Sequence, residues 1–307
     1  MPEPIPSAAS RWARHFFAVI VLSTAVLLLY GASLHVSAVQ NPVFRKLKHL
    51  FPFTLFSPAP ATWDANPVYD DISSDVCTIA RVPYDEITAE DFFRFYEEQR
   101  PVILQYPVNV TTSRNFRFQQ AVQKQRLLEH HGNDEITLST GNRNSYAKRN
   151  TVVADYIRHY MHPQLEEVSG NASWYHFGDP HHKGWREVNQ LYEPPRKFMR
   201  PYQDPALSFG FAGSGTGVPF HTHGAVFAET LYGRKRWWLS EWKREPRYDP
   251  DENTLYWLRH VRPTYSPAEA ASVYDCVCER GDVIYIPSNW HHATLNIGET
   301  VFMSVFI

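Results

Sequence analysis

The stretch that most restricts this chain is Val218-Pro219-Phe220-His221-Thr222-His223-Gly224. It reads as a β-strand, and strand side chains alternate between faces. His221 and His223 therefore project together into whatever the sheet encloses. Imidazole is the commonest protein metal ligand, and two on one face make half of a site. Alone the pair is a weak signal, because histidine-rich spots are more often surface features. A second stretch strengthens it: Gly281-Asp282-Val283-Ile284-Tyr285-Ile286-Pro287-Ser288-Asn289-Trp290-His291-His292-Ala293-Thr294-Leu295-Asn296.

Together the two stretches resemble a known family. An H-x-[DE] strand, then G-x-K-x-W-x-L, then G-D-x-x-x-I-P-x-x-W-x-H-x-x-x-N marks the JmjC domain. Gly233-Arg234-Lys235-Arg236-Trp237-Trp238-Leu239 supplies the middle motif. The resemblance runs from about residue 76 to residue 307. In length, spacing and its HTHG variant the chain is most similar to the small lumenal branch of that family. The fold so implied is mainly β with flanking helices, a cupin-like double-stranded β-helix.

The resemblance also implies a site. A non-haem Fe(II) oxygenase commonly holds iron with two histidines and one carboxylate, leaving positions open for 2-oxoglutarate and O₂. On the family pattern His221 is the first ligand and His292 the distal one. His292 stands five residues after Pro287 and shares a strand face with Trp290 and Thr294. His291 faces the other way, with Ala293, and reads as a packing or edge residue. The departure is His223, where the family pattern has Asp or Glu. Glu229 has matching parity, but an extended strand sets it about 20 Å away. The candidate metal set is therefore His221, His223 and His292. Three neutral ligands suit Zn(II) and can also hold Fe(II), with less charge compensation than a carboxylate would give.

Lys235 matches the family lysine that grips the far carboxylate of 2-oxoglutarate. Strand parity groups it with Trp237 and Leu239, pointing inward. A buried ammonium needs a counter-charge, which a bound dicarboxylate would supply. Read without the resemblance, Lys235 belongs to a solvated basic run with Arg234 and Arg236. Trp237, Trp238 and Trp290 read as core aromatics.

The N-terminus stands apart from this domain. Residues 16–34 carry no charge and follow Arg11 and Arg14. A run of that length fits a signal peptide or a signal anchor, with Val36-Ser37-Ala38 as a cleavage motif. Arg45, Lys46 and Lys48 follow the run, which argues against a simple positive-inside anchor. Asn109-Val110-Thr111 and Asn171-Ala172-Ser173 are glycosylation sequons. The family resemblance implies the endoplasmic reticulum lumen. The last residues carry no KDEL-type signal, so residence there would rest on the uncleaved anchor or on a partner. The cysteines are Cys77, Cys276 and Cys278. Cys276 and Cys278 share a strand face at about 6.5–7 Å between Cα atoms, at or beyond bridging reach. That leaves Cys77 with one of them, Cys276 being the candidate, against three reduced thiols. A net charge of −2 gives no basic surface of the kind that binds nucleic acid.

The chain divides into a signal segment, 1–39, a proline-broken stem, 40–68, and the domain, 69–307. Within the domain a mixed lead-in, 69–205, precedes a β core, 206–307. Thr88 is a natural helix N-cap, with Ile87 and Phe92 as a hydrophobic staple and Phe92, Phe95 and Tyr96 on one face. A second helix is expected from about 116 to 131, stopped by Gly132, and a third over 153–160. Strands are expected at 102–104 and 136–139. Residues 246–267 read as an insertion with a short helix. Gly210, Gly213, Gly215 and Gly217 do not form a phosphate loop, since no Gly-Lys-Ser/Thr follows and the next element is a strand. The expected protein is a lumenal JmjC-fold binding or regulatory protein with an atypical metal site. The alternative is an Fe(II)/2-oxoglutarate-dependent hydroxylase acting on secretory-pathway proteins. Its partners would be lumenal proteins, with the membrane reached only through residues 16–34.

Overall fold

In the computed structural model the described residues are 62–107, 113–178 and 183–307. The apolar run 16–34, the stem up to residue 61 and Asn109 lie outside them. Two long strands organise what is described: β7, Val226–Ser240, and β10, His291–Phe306. Each is too long for one flat sheet, and each bends at a glycine. Gly233 (φ +68°) and Gly298 (φ +73°) take a backbone conformation that side chains resist. A Cβ on Gly233 would stand 2.5 Å from the Glu299 carbonyl, and one on Gly298 2.7 Å from that of Asp64. The β7–β10 register breaks in the same place, between Ile297 and Val301.

The bend makes two sheets from one pair of strands. In the larger, the first half of β7 pairs with β9, Asp282–Ile286, and with the second half of β10. That sheet extends through β6, Ala206–Ala212, β5, Trp174–Gly178, β3, Glu135–Thr140, and β4, Lys148–Val152. On its other side come β2, Val102–Gln105, and β1, Ala80–Pro83. In the smaller sheet, the second half of β7 pairs with β8, Tyr274–Cys278, and with the first half of β10. The His221 strand completes it: His221 and His292 exchange backbone hydrogen bonds of 3.1 and 3.0 Å. This is the double-stranded β-helix, with helices confined to the outside.

Strand alternation sorts the apolar residues into three clusters. Val226, Ala228, Trp237, Leu239, Cys276, Cys278, Ile284 and Ile286 fill the space between the sheets. Phe227, Tyr285, Val301, Met303 and Val305 face outward from the larger sheet, against Phe92 and Phe198. Phe220, Trp238, Val277 and Leu295 face outward from the smaller sheet, against Leu255 and Trp257 of the 246–267 insertion. Trp237 and Trp238 thus serve opposite clusters. Cys77 and Cys276 form a disulfide that fastens the entering chain to β8, and Cys278 is a buried free thiol.

The lead-in departs from the expectations in instructive ways. Helix α1, Ala89–Phe95, starts at Thr88, whose Oγ1 accepts from the Asp91 amide. Ile87 and Phe92 are buried together, but Phe95 is left 40% exposed because the helix ends one residue on. The helix expected over 116–131 is two, α2, Phe116–Ala121, and α3, Lys124–His131. Gln123 is extended between them, and this turns Lys124 inward to donate to both Glu299 carboxylate oxygens, at 2.7 and 2.8 Å. At the break the Val122 carbonyl accepts from the Trp63 indole. Residues 62–68, assigned to the stem, are therefore part of the packed body: Trp63 is in the core, and the Val68 amide donates to Ser214 Oγ. Among the described residues no helix is long and apolar enough to cross a membrane.

Candidate metal centre

Three histidines from two adjacent strands meet at one end of the β-helix. One ring nitrogen from each of His221, His223 and His292 lies within 4.8 Å of the others. His221 and His292 face each other across the smaller sheet, their ring centres 4.1 Å apart. His223 reaches the same point because it stands two residues on, and its Nε2 is 2.9 Å from His292 Nε2.

The other nitrogen of each ring fixes its role. His221 Nδ1 contacts the Pro219 carbonyl at 2.8 Å, His223 Nδ1 that of Gly224 at 2.7 Å, and His292 Nδ1 that of Trp290 at 2.9 Å. A carbonyl only accepts, so each Nδ1 carries the proton and donates. In a neutral ring that leaves the lone pair on Nε2, and all three lone pairs converge. Loss of water favours the neutral rings, His292 being buried and His221 and His223 half-buried. It holds His221 down to about 4, against the pull of its bond to Pro219, and lowers His223. His292, enclosed and facing both other rings, is held well below the ordinary imidazole value. Two lone pairs at 2.9 Å repel unless a cation or a shared proton lies between them. A backbone-anchored Nδ1 with a free Nε2 is how metal-binding histidines are oriented.

Glu229 does not join the centre. It lies on the outer face of the larger sheet, where its Oε2 accepts from Arg114, Asn115 and Tyr192 at 2.5, 2.7 and 2.8 Å. His291 points away as its parity requires, its Nε2 donating to the Trp242 carbonyl at 3.1 Å. The described residues give the centre no carboxylate.

Lys235 points inward and is 4% exposed. Its Nζ donates to Asn296 Oδ1 at 2.9 Å and stands 3.7 Å from the centre of the Phe302 ring. Among the described residues no carboxylate pairs with it, and burial lowers its ammonium to about 7. Trp237 lines the space between, 5.7 Å from Lys235 Nζ and 6.2 Å from the His292 ring. The basic run around Lys235 is not solvated: Arg236 is equally buried, on the opposite face, in a two-bond pair with Asp275.

Three contributors have no role in the sequence reading. Asn296 holds Lys235 and also donates to Thr216 Oγ1 at 3.0 Å. Phe302 covers the ammonium, and Phe306 lies 4.9 Å from the His223 ring. Period-two alternation along the last strand, Phe302-Ser304-Phe306, was the available signal for both aromatics. Asn171, of the second sequon, is exposed and accepts from Asn142 Nδ2.

Comparison with known proteins adds the following. A JmjC-domain family model matches residues 196–307. JmjC domain-containing protein 8 of Rattus norvegicus is 38% identical over 231 residues, covering 75% of this chain and 82% of that protein. The Homo sapiens protein of the same name is 38% identical, over 75% of this chain and 84% of its own length. Among solved structures, the Escherichia coli ribosomal oxygenase YcfD superposes with a TM-score of 0.43 at 18% identity, over 72% of this chain. This chain spans about half, 51%, of that protein. The same protein with cobalt and 2-oxoglutarate gives a TM-score of 0.40 at 17% identity, over 72% of this chain and 52% of the other.

Proposed function

The chain belongs to the JmjC-domain family, and on that premise we propose that it is an atypical member, a three-histidine metal-binding protein with a binding or regulatory role in the secretory lumen. The convergence of three Nε2 lone pairs with no carboxylate among them carries this reading. The donor set fits a divalent cation held by His221, His223 and His292. Bound there, the cation supplies a Lewis-acid centre that keeps its full double charge, since none of its protein ligands is anionic. Zn(II) suits such a set, and Fe(II) is accepted with less charge compensation. The chain's own part is to orient the imidazoles through three backbone carbonyls, with Trp237 packed near His292 and Phe306 near His223.

The alternative, a 2-oxoglutarate-dependent hydroxylase, rests on Lys235. A buried ammonium with an amide oxygen and an aromatic face, and no carboxylate among the described residues, fits one carboxylate of a dicarboxylic acid. An anion there keeps Lys235 protonated, so its affinity falls as pH rises above about 7. The lumenal assignment is supported by the disulfide of Cys77 with Cys276 and by the exposed sequon asparagine Asn171.

Metal content and 2-oxoglutarate turnover of the protein purified from secretory-pathway cells decide between the readings. The expected result is one equivalent of divalent metal, lost in His292→Ala, with little or no 2-oxoglutarate decarboxylation. His223→Asp places a carboxylate in the set; it should raise Fe(II) affinity and start uncoupled decarboxylation, which Lys235→Ala on that background should abolish. If the native protein turns over 2-oxoglutarate and His223→Asp stops it, the three-histidine centre is itself catalytic.

A further inference from the structure

The disulfide between Cys77 and Cys276 has its two ends in different surroundings. Cys77 is exposed, within an exposed stretch over residues 75–78, and its neighbour Val76 is 55% exposed. Cys276 is fully buried, in one cluster with Ile79, Trp237, Leu239 and Cys278. Arg81 Nη2 stands 3.5 Å from the Cys276 sulfur and also donates to the Val277 carbonyl. Its Nη1 donates to Asp282 at 2.7 Å.

Thiol–disulfide exchange depends on which sulfur can be reached and on which leaves more readily as a thiolate. Burial closes Cys276 to an incoming thiol, so attack falls on Cys77. Cys276 is then the leaving sulfur, and a guanidinium beside it favours the thiolate. The two cysteines are held together by more than their own bond. The Thr78 amide donates to the Asp275 carbonyl and the Asp275 amide to Thr78 Oγ1, each at 2.9 Å. Ile79 is buried in the same cluster as Cys276. Cys276 therefore stays where it can attack an adduct on Cys77 and reclose the bond. Cys278 does not compete, because burial raises its thiol well above the ordinary value and keeps it protonated.

We propose that Cys77–Cys276 is a thiol-exchange site, at which an incoming cysteine thiol forms a mixed disulfide with Cys77 and Cys276, beside Arg81, is the leaving sulfur. The incoming thiolate bonds to Cys77 Sγ, the Cys77–Cys276 bond breaks, and its electron pair stays on Cys276. Return attack by Cys276 on Cys77 restores the disulfide and releases the incoming thiolate. A second incoming thiolate can instead attack the first one's sulfur in the adduct. The two incoming thiols then leave as a disulfide, oxidised by two electrons, and Cys77 and Cys276 are left reduced. The site does not depend on how the metal centre is read.

The full chain is treated with glutathione or with a cysteine-containing peptide, quenched in acid, alkylated in denaturant and mapped by mass spectrometry. The expected product carries the incoming thiol on Cys77 and the alkyl group on Cys276 and Cys278. The relative rates of the two arms separate a small-molecule thiol from a polypeptide. Arg81→Met should slow the reaction several-fold, because the departing sulfur loses its neighbouring cation. Cys278→Ser should leave the rate unchanged. Cys276→Ser cannot reclose and should accumulate the Cys77 adduct with oxidised glutathione, whereas Cys77→Ser should form none on Cys276. The mapping of the native protein stands even where a variant fails to fold. A native disulfide inert to both thiols, an adduct on Cys276, or a folded Arg81→Met variant that reacts no slower each overturns the proposal.

Discussion

Lys235 and Arg236 are neighbours on β7, equally buried, and point to opposite faces of one sheet. Arg236 is fully engaged. Its Nε and Nη2 reach both oxygens of Asp275 at 2.9 and 2.7 Å, and its Nη1 donates to the Ile72 carbonyl at 3.1 Å. Arg262 adds a second guanidinium to Asp275. Lys235 has one amide oxygen and an aromatic face. Burying a charge is tolerable when partners replace the lost water. Outside the β-helix that condition is met by the chain itself. Inside, the described residues supply Lys235 with no carboxylate. On the reading proposed above, the outward cation serves stability and the inward one a ligand.

The largest effect should come from breaking the satisfied side. Arg236→Met leaves Asp275 buried with Arg262 alone and frees the Ile72 carbonyl. It should destabilise the protein by about 3 kcal/mol, the lower end for breaking a buried pair because Arg262 remains. Denaturant midpoints measure this. Metal content should not change, since the residue faces away from the histidines. A loss below about 0.5 kcal/mol, the range of ordinary surface substitutions, would mean that the outward pair is not structural.

The inward cation should behave oppositely. Lys235→Met removes a buried ammonium with no anionic partner and should raise stability by about 1–2 kcal/mol at pH 6. The sign follows from linkage. The native ammonium is lowered from 10.5 to about 7, so between those values the unfolded chain holds a proton that the native chain has lost. Native stability therefore rises with pH across that window, and the penalty is fully present only below about 7. The advantage of Lys235→Met should shrink steadily from pH 7 to pH 10. An advantage that does not depend on pH would mean that Lys235 is paired after all.

This contrast was only half legible in the sequence. Alternation along a strand gave the inward set of His221, His223, Lys235 and His292, because a period of two needs no knowledge of what lies opposite. It gave no sign of the burial of Arg236, named only as part of a solvated basic run in the reading of Lys235 made without the resemblance, because Asp275 and the insertion that covers it come from elsewhere in the chain. The same limit hid the helix break at Gln123, which depends on Glu299 reaching Lys124. It also hid the place of Glu229, whose partner Arg114 lies 115 residues away. Local pattern fixes which face a residue takes; its partners are a tertiary fact.

Asn296→Asp is the finest test, because it copies the outer arrangement onto the inner face. Asn296 Oδ1 already accepts from Lys235 at 2.9 Å, so a carboxylate needs no movement to pair with it. The new charge should return the Lys235 titration from about 7 towards its ordinary value, read from the lysine Cε chemical shift. Net stability should move little, within about 1 kcal/mol, because a buried pair roughly breaks even against its own desolvation. The donor from Asn296 Nδ2 to Thr216 is lost as well, a cost of about 1 kcal/mol that works against the gain. Affinity for a dicarboxylate should fall, since the ammonium is now neutralised from within the chain. If the lysine titration does not move, Lys235 already has an anionic partner, and the asymmetry between the two faces of β7 disappears.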